Sequence, residues 1–180
     1  MFHRTQRLFL RPAWPEDWRA VFDAVADEGL VKNLARAPWP YTEDDARAFV
    51  ERAMDPELPS FLVMLPGEAG ETLVGACGLG RDDRDAVQIG YWIAREHWGN
   101  GYASEAARGL LEVARAMGHR HIAGGHYVDN PGSGRVLEAI GFRPTGETHM
   151  ESCLARGAKV PLVAYAIDLE EAFPLPPVAA

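Results

Sequence analysis

Lysine is nearly missing from this chain, and so is cysteine. Among 18 basic side chains only Lys32 and Lys159 are lysines, following Val31 and Ala158. The glycine-lysine-serine or glycine-lysine-threonine end of a nucleotide-binding P-loop therefore has nowhere to sit. Cys77 and Cys153 are the two cysteines and form no CxxC pair; reduced thiols and a cytoplasmic setting are the expectation. No apolar run approaches the roughly 18 residues that would span a bilayer. Met1-Phe2-His3-Arg4-Thr5-Gln6-Arg7 also lacks the apolar stretch of an export signal. Positive charge is short as well: 18 Lys plus Arg against 26 Asp plus Glu leave a formal net charge of −8. That balance argues against nucleic acid as a partner and suits a cationic acceptor such as an amine. HExxH does not occur, and the isolated His119-Arg120-His121 reads as a surface strand end, so no metal is expected. The five tryptophans, at 14, 18, 39, 92 and 98, read as core residues rather than base-stacking platforms.

What is present is patterned chain sufficient for one core: 180 residues, 47% of them hydrophobic. The domain is expected over residues 1–173, with the proline-rich residues 174–180 as a flexible tail. Alternation predicts strands at residues 7–11, 61–65, 72–77, 87–93, 122–128, 146–151 and 160–169. A period of three to four predicts helices opened by Pro15-Glu16-Asp17, by Thr42 with Asp45 in a capping-box variant, by Tyr102, and at residues 133–140. The second of these carries Ala46, Phe49, Val50 and Ala53 on its apolar face, and Gly118 stops the third. Helices and strands alternating in this way define an α/β (α+β) single domain on a mixed sheet.

Two segments carry the chemistry. In Tyr91-Trp92-Ile93-Ala94-Arg95-Glu96-His97-Trp98-Gly99-Asn100-Gly101-Tyr102-Ala103-Ser104-Glu105-Ala106, a strand passes through a loop with two glycines into a helix. Glycines there let a backbone approach a ligand, and the helix N-terminus offers unpaired N–H donors to a phosphate. A dinucleotide fingerprint fits poorly, because five residues separate Ile93 from Gly99 and Ser104 stands at the third glycine site. In the second segment, Asn130 ends a strand and Ser133 stands where a helix would be capped, which ordinary turn and cap chemistry also explains. A serine-hydrolase elbow is excluded because Pro131, not glycine, lies two residues before Ser133.

Taken together, these segments resemble the GNAT superfamily of N-acetyltransferases, and more narrowly its Rim-type branch, which includes ribosomal-protein N-terminal acetyltransferases. Arg7-Leu8-Phe9-Leu10-Arg11-Pro12 with Glu16-Asp17 resembles the branch's opening, and Ile89-Gly90-Tyr91-Trp92-Ile93 its central strand. Trp98 to Ala106 resembles its pyrophosphate loop, and Asn130-Pro131-Gly132-Ser133 followed by Gly141-Phe142 its closing motif. The resemblance implies acetyl-CoA as cosubstrate and a splayed mixed sheet that takes it between two central strands. On this footing the backbone of Ile93 meets the acetyl and pantetheine end. Trp98, Gly99, Asn100, Gly101, Tyr102, Ala103 and Ser104 hold the pyrophosphate, Asn130 and Arg135 line the other side, and Ser133 lies near the sulfur. Glu96 departs from the Gln or Arg common in the superfamily, so the loop works through backbone donors. Leu137 replaces a tyrosine acid that many members carry.

The implied activity is transfer of acetyl to a primary amine, either a protein N-terminus or a small molecule, by direct attack in a ternary complex. The alternative is a non-catalytic acyl-CoA-binding or sensing domain. Near pH 7.4 an α-amine is neutral in roughly a third of molecules and a lysine-type amine in about one in a thousand, so a base matters more for the second. Gln88 stands where many relatives carry Glu. His126 has a suitable reference pKa but reads equally as a structural histidine, and Glu105 reads as a first-turn dipole partner. Catalytic candidates are thus Ser133, Asn130 and His126, with the base open. Acceptor contacts are expected from the first two helices and residues 151–159. A monomer or a homodimer paired through its last strand are both compatible with the sequence.

Overall fold

The computed structural model describes residues 1–52, 55–68, 70–82 and 84–172. Ala53 and the tail expected at 174–180 lie outside the described residues. Among these, eight strands form one sheet in the order β1-β2-β3-β4-β5-β6-β8-β7. The strands are β1 (His3–Arg4), β2 (Phe9–Arg11), β3 (Ser60–Gly67), β4 (Gly70–Arg81), β5 (Val87–Ile93), β6 (His121–Tyr127), β7 (Arg143–Cys153) and β8 (Ala158–Asp168). The helices are α1 (Trp18–Val25), α2 (Glu28–Val31), α3 (Glu43–Val50), α4 (Tyr102–Ala116), α5 (Pro131–Ala139) and α6 (Leu169–Ala172).

Strands β1 to β5 pair antiparallel with their neighbours, and so do β6 with β8 and β8 with β7. The exception is the middle of the sheet. There β5 and β6 run parallel and are paired at one position, Gln88 with Ala123, after which they diverge. The splay falls at the carboxyl ends of parallel strands, where α/β sheets open toward ligands.

Each face of the sheet carries its own core. On one, Leu110, Leu111, Val113 and Ala114 of α4 and Leu137 of α5 pack on Val74, Cys77, Ile89, Ile122 and Phe142. On the other, Val21 and Val25 of α1 and Ala46 and Val50 of α3 pack on Leu62, Met64 and Ala76. Thr42 and Asp45 form the expected capping box, with Asp45 N donating to Thr42 Oγ1 and Thr42 N to Asp45 Oδ2. A 3-10 turn at Pro15–Asp17 precedes α1. Its Asp17 takes a bidentate pair from Arg11 at 2.7 and 2.8 Å, plus the Trp14 N–H at 2.7 Å. Burial alone would raise the Asp17 carboxyl, but the Arg11 hydrogen bonds, the Trp14 N–H and the Arg11 charge outweigh it and hold it below its ordinary value.

Several boundaries differ from the sequence pattern. Arg7 and Leu8 precede β2 rather than belong to it. The two-residue β1 and the four-residue α2 are too short to leave a period. Helix α5 begins at Pro131, whose fixed φ suits the first helical position. Its N-cap is therefore Asn130, and Ser133 sits inside the first turn rather than capping it. Strand β6 ends at Tyr127, before Asn130. The tryptophans are not core: Trp14, Trp39 and Trp98 are exposed, and Trp18 and Trp92 are half-buried at the edge of the α1–α3 core. Their polar indole edges explain this placement.

Candidate active site

The loop between β5 and α4 forms the first part of the site. Gly99 (φ +79) and Gly101 (φ +76) both adopt the left-handed conformation, which a side chain would strain. Gly101 is the N-cap of α4 and supplies no side-chain cap. Its carbonyl receives the first helical bond, from Glu105 N, so the N–H groups of Tyr102, Ala103 and Ser104 precede the intrahelical ladder and point outward. A fifteen-residue helix with an uncapped N-terminus suits a phosphate. The Asn100 side chain instead closes the loop on itself, donating to His97 O at 3.1 Å and Trp98 O at 3.2 Å.

Glu96 is solvent-exposed and faces His97, so it brings no cation to the loop. Arg7 does. Its guanidinium donates to Asn100 O at 3.0 Å and to Glu105 Oε2 at 2.7 Å, and it stacks 4.8 Å from the Tyr102 ring. Glu105 also accepts from Thr5 Oγ1 at 2.6 Å and from Arg7 N at 2.7 Å. Burial pushes its carboxyl up, and these donors together more than reverse the effect, holding it below its ordinary value. Glu105 thus fastens the N-terminal segment to the first turn of α4.

The second part is the splay itself. Ala94 N donates to Val74 O, and the register pairs Gly75 with Ile93 and Cys77 with Tyr91. Ile93 and Tyr91 therefore stand at the non-bonded positions of the β4–β5 ladder, with their N–H and C=O groups directed toward the edge that β6 has left. The Trp98 indole Nε1 donates to Ile93 O at 2.6 Å, which occupies the carbonyl and leaves the N–H as the strand's contribution there.

Ser133 faces this opening from α5. Its Oγ lies 2.9 Å from the Tyr91 hydroxyl, which also reaches the Ser133 carbonyl oxygen at 3.0 Å. His126 lies on the same side of the sheet. Its Nδ1 donates to Tyr127 O at 2.8 Å, which makes Nε2 the acceptor nitrogen. The ring packs on Gly134, where a Cβ would meet Nε2 at 2.7 Å, so the bare nitrogen faces a helix backbone. Asn130 holds the N-cap position without a side-chain cap bond, and Arg135 is exposed one turn further along.

The third part is a cleft of about 480 Å³ that runs from the α1–α3 face to Tyr91 and Ser133. Its walls include Val21, Val25, Tyr41, Asp45, Phe49 and Trp92, with Gln88, Tyr127, Glu151 and Leu162 at its inner part. Of residues 151–159 only Glu151 lines it. Cys153 and Arg156 instead fix the β7–β8 turn, the guanidinium bonding Lys32 O at 2.8 Å and both oxygens of Asp129 at 2.8 and 3.0 Å. The Arg156 hydrogen bonds hold the Asp129 carboxyl below its ordinary value. A separate cavity of about 520 Å³ beside the end of α5 touches none of these residues.

The sequence carries Tyr91 and Arg7 only as members of motifs, without a role, and Glu151 only as one end of the acceptor segment 151–159. Glu151 shares one face of β7 with half-buried His149 and buried Cys153, an inward pattern legible only once the register is known. Tyr91 carries no local signal beyond lying in a strand.

A mixed sheet that splays between two parallel strands, beside an uncapped glycine-loop helix, defines a GNAT-type domain. A model of the Acetyltransferase (GNAT) domain matches residues 7–143. The Uncharacterized N-acetyltransferase YnaD of Bacillus subtilis (strain 168) is 30% identical over 85% of this chain and 88% of its own length. A GNAT-family acetyltransferase structure from Bacillus anthracis is 30% identical, with a TM-score of 0.79 over 94% of this chain and 99% of that one. RimL, a ribosomal L7/L12 alpha-N-protein acetyltransferase solved with coenzyme A, shares the fold at 19% identity and a TM-score of 0.76, over 93% and 98% of the two chains. The chain belongs to the GNAT acetyltransferase family.

Proposed function

We propose that this protein moves an acetyl group from acetyl-CoA to a primary amine, a protein N-terminus or a small molecule, by direct attack with both substrates bound. The observation that carries this reading is the splay of β5 from β6, with Ser133 and the α4 N-terminus on one side and the Glu151 cleft on the other. The coenzyme A reported with RimL agrees with it.

In this arrangement the N–H groups of Tyr102, Ala103 and Ser104 bind the pyrophosphate, and Arg7 braces the loop from outside. The N–H groups of Tyr91 and Ile93 stabilise the oxyanion that develops on the thioester carbonyl. Ser133 Oγ–H hydrogen-bonds the departing thiolate. The amine enters through the cleft, where Glu151 is the carboxylate placed to take its proton. His126 also lines the cleft, with Nε2 close against Gly134, and is the other candidate base. The protein supplies the binding groups and acetyl-CoA the activated acyl group.

The test is acetylation of a panel of small amines and N-terminal peptides with acetyl-CoA in excess. Turnover on at least one acceptor supports the reading. Tight acetyl-CoA binding with background turnover throughout leaves the non-catalytic acyl-CoA-binding reading, which Gln88 in place of a carboxylate favours.

A further inference from the structure

Tyr91 is half-buried on the face of β5 that looks toward α5 and packs at the edge of the α4–α5 core. A phenylalanine would fill the same apolar volume, so the hydroxyl needs its own account. A buried hydroxyl is costly unless bonded, and both of its partners belong to one residue: Ser133 Oγ at 2.9 Å and Ser133 O at 3.0 Å. Burial pushes the phenol up to about 12, with the Ser133 bond pulling back against it, so at neutral pH Tyr91 keeps its one proton and has it to donate to either Ser133 oxygen.

A serine hydroxyl otherwise turns among three staggered positions and, in the first turn of a helix, readily bonds back to the chain. A donor fixed across the cleft by a strand removes that freedom. Ser133 O can only accept while Ser133 Oγ can donate or accept, so the pair has two arrangements; in the one that sets the single Tyr91 proton on Ser133 Oγ, the serine's own proton is free to turn toward the splay. We propose that Tyr91 is a positioning residue for acetyl transfer: as charge develops on the sulfur it donates its hydrogen bond to Ser133 Oγ, whose own proton then points at the departing sulfur.

The inference rests on the acetyl-transfer reading above. Amine attack forms the N–C bond and breaks the C–S bond, with the bonding pair leaving on sulfur. The amine proton departs on the cleft side, and the thiolate accepts a hydrogen bond from Ser133. Neither Ser133 nor Tyr91 loses its proton, as a thiol near 8.5 and a phenol near 12 require.

The experiment compares Tyr91→Phe, Ser133→Ala and the double variant for kcat, KM for acetyl-CoA, and the pKa of the bound CoA thiol. The last is read from its ultraviolet thiolate absorbance, with desulfo-CoA as blank. Tyr91→Phe is expected to lower kcat roughly tenfold, leave KM unchanged, and raise the bound thiol by about one unit. Ser133→Ala goes at least as far, and Tyr91→Phe adds nothing to it. An unchanged kcat and thiol pKa in a folded Tyr91→Phe protein overturns the proposal, as does an equal loss in the Ser133→Ala background. Should Tyr91→Phe fail to fold, 3,5-difluorotyrosine at position 91 keeps the bond with a stronger donor and must lower the thiol pKa; no change there also overturns it. A wild-type protein that binds no CoA overturns the acetyl-transfer reading itself, a result distinct from all of these.

Discussion

Tyr91 on β5 and Ser133 on α5 are joined by a hydroxyl–hydroxyl hydrogen bond of 2.9 Å across the place where the sheet divides. The bond ties the two elements that flank the splay and fixes the one hydroxyl of α5 that faces it. For Ser133→Ala the expected outcome is a fall in kcat of roughly 10- to 100-fold, the value of a hydrogen bond to a charged group. Acetyl-CoA affinity should hold, because Ser133 lies apart from the α4 N-terminus. Steady-state kinetics with calorimetric titration separates the two, and unchanged kcat would remove Ser133 from the mechanism.

Gly101→Ala forces a Cβ into left-handed backbone, a strain of about 1–2 kcal/mol. The loop can relax only by turning the first N–H groups of α4. Acetyl-CoA affinity should drop more than stability does, and the loss should be much smaller for a pantetheine thioester that lacks the pyrophosphate. Equal losses for both ligands would place the phosphate elsewhere.

The Arg11–Asp17 pair is buried, with Arg11 4% exposed. Asp17→Asn leaves the buried guanidinium with only Glu71 Oε2, at 3.4 Å, as a counter-charge and should cost up to about 3–5 kcal/mol at neutral pH. Because the folded Asp17 carboxyl lies below its unfolded value, its contribution is fully present above about pH 4 and is lost as pH falls through the folded value. Denaturant melts of wild type and variant should therefore converge on acidification. A constant difference down to acid pH would contradict the assignment.

Glu151→Gln separates the acceptor side from the thioester side. If Glu151 takes the amine proton, the loss in kcat should be modest for an α-amine, a third of which is already neutral near pH 7.4, and larger for a lysine-type amine. A pH–rate profile for each acceptor reads this directly. An identical loss for both acceptors would make Glu151 a binding group only.

How much of this was legible beforehand follows from range. The Thr42–Asp45 cap, the α4 period ending at Gly118 and the glycine loop are local, and local sequence carries them. The order β6-β8-β7 and the single Gln88–Ala123 pairing depend on contacts far apart in the chain. So do the roles of Arg7 and Tyr91: Arg7 meets Glu105 across 98 positions and Tyr91 meets Ser133 across 42. The local pattern predicts the helix at Ser133 but starts it two residues late, because Asn-Pro is equally a turn former, whereas Pro131 is the first helical residue. Residue type alone places the tryptophans in the core, whereas Trp98 is exposed and spends its indole N–H on the Ile93 carbonyl.

The most direct measurement is thermal unfolding with about 1 mM acetyl-CoA, beside equal NADH and ATP. A ligand of micromolar affinity stabilises the native state by about 4 kcal/mol, or roughly 8–16 °C for a chain of this length. The account predicts a shift of that order with acetyl-CoA, retained by Ser133→Ala and reduced by Gly101→Ala. No shift with acetyl-CoA, or one that NADH reproduces, would contradict the reading of the splay and the α4 N-terminus as an acetyl-CoA site.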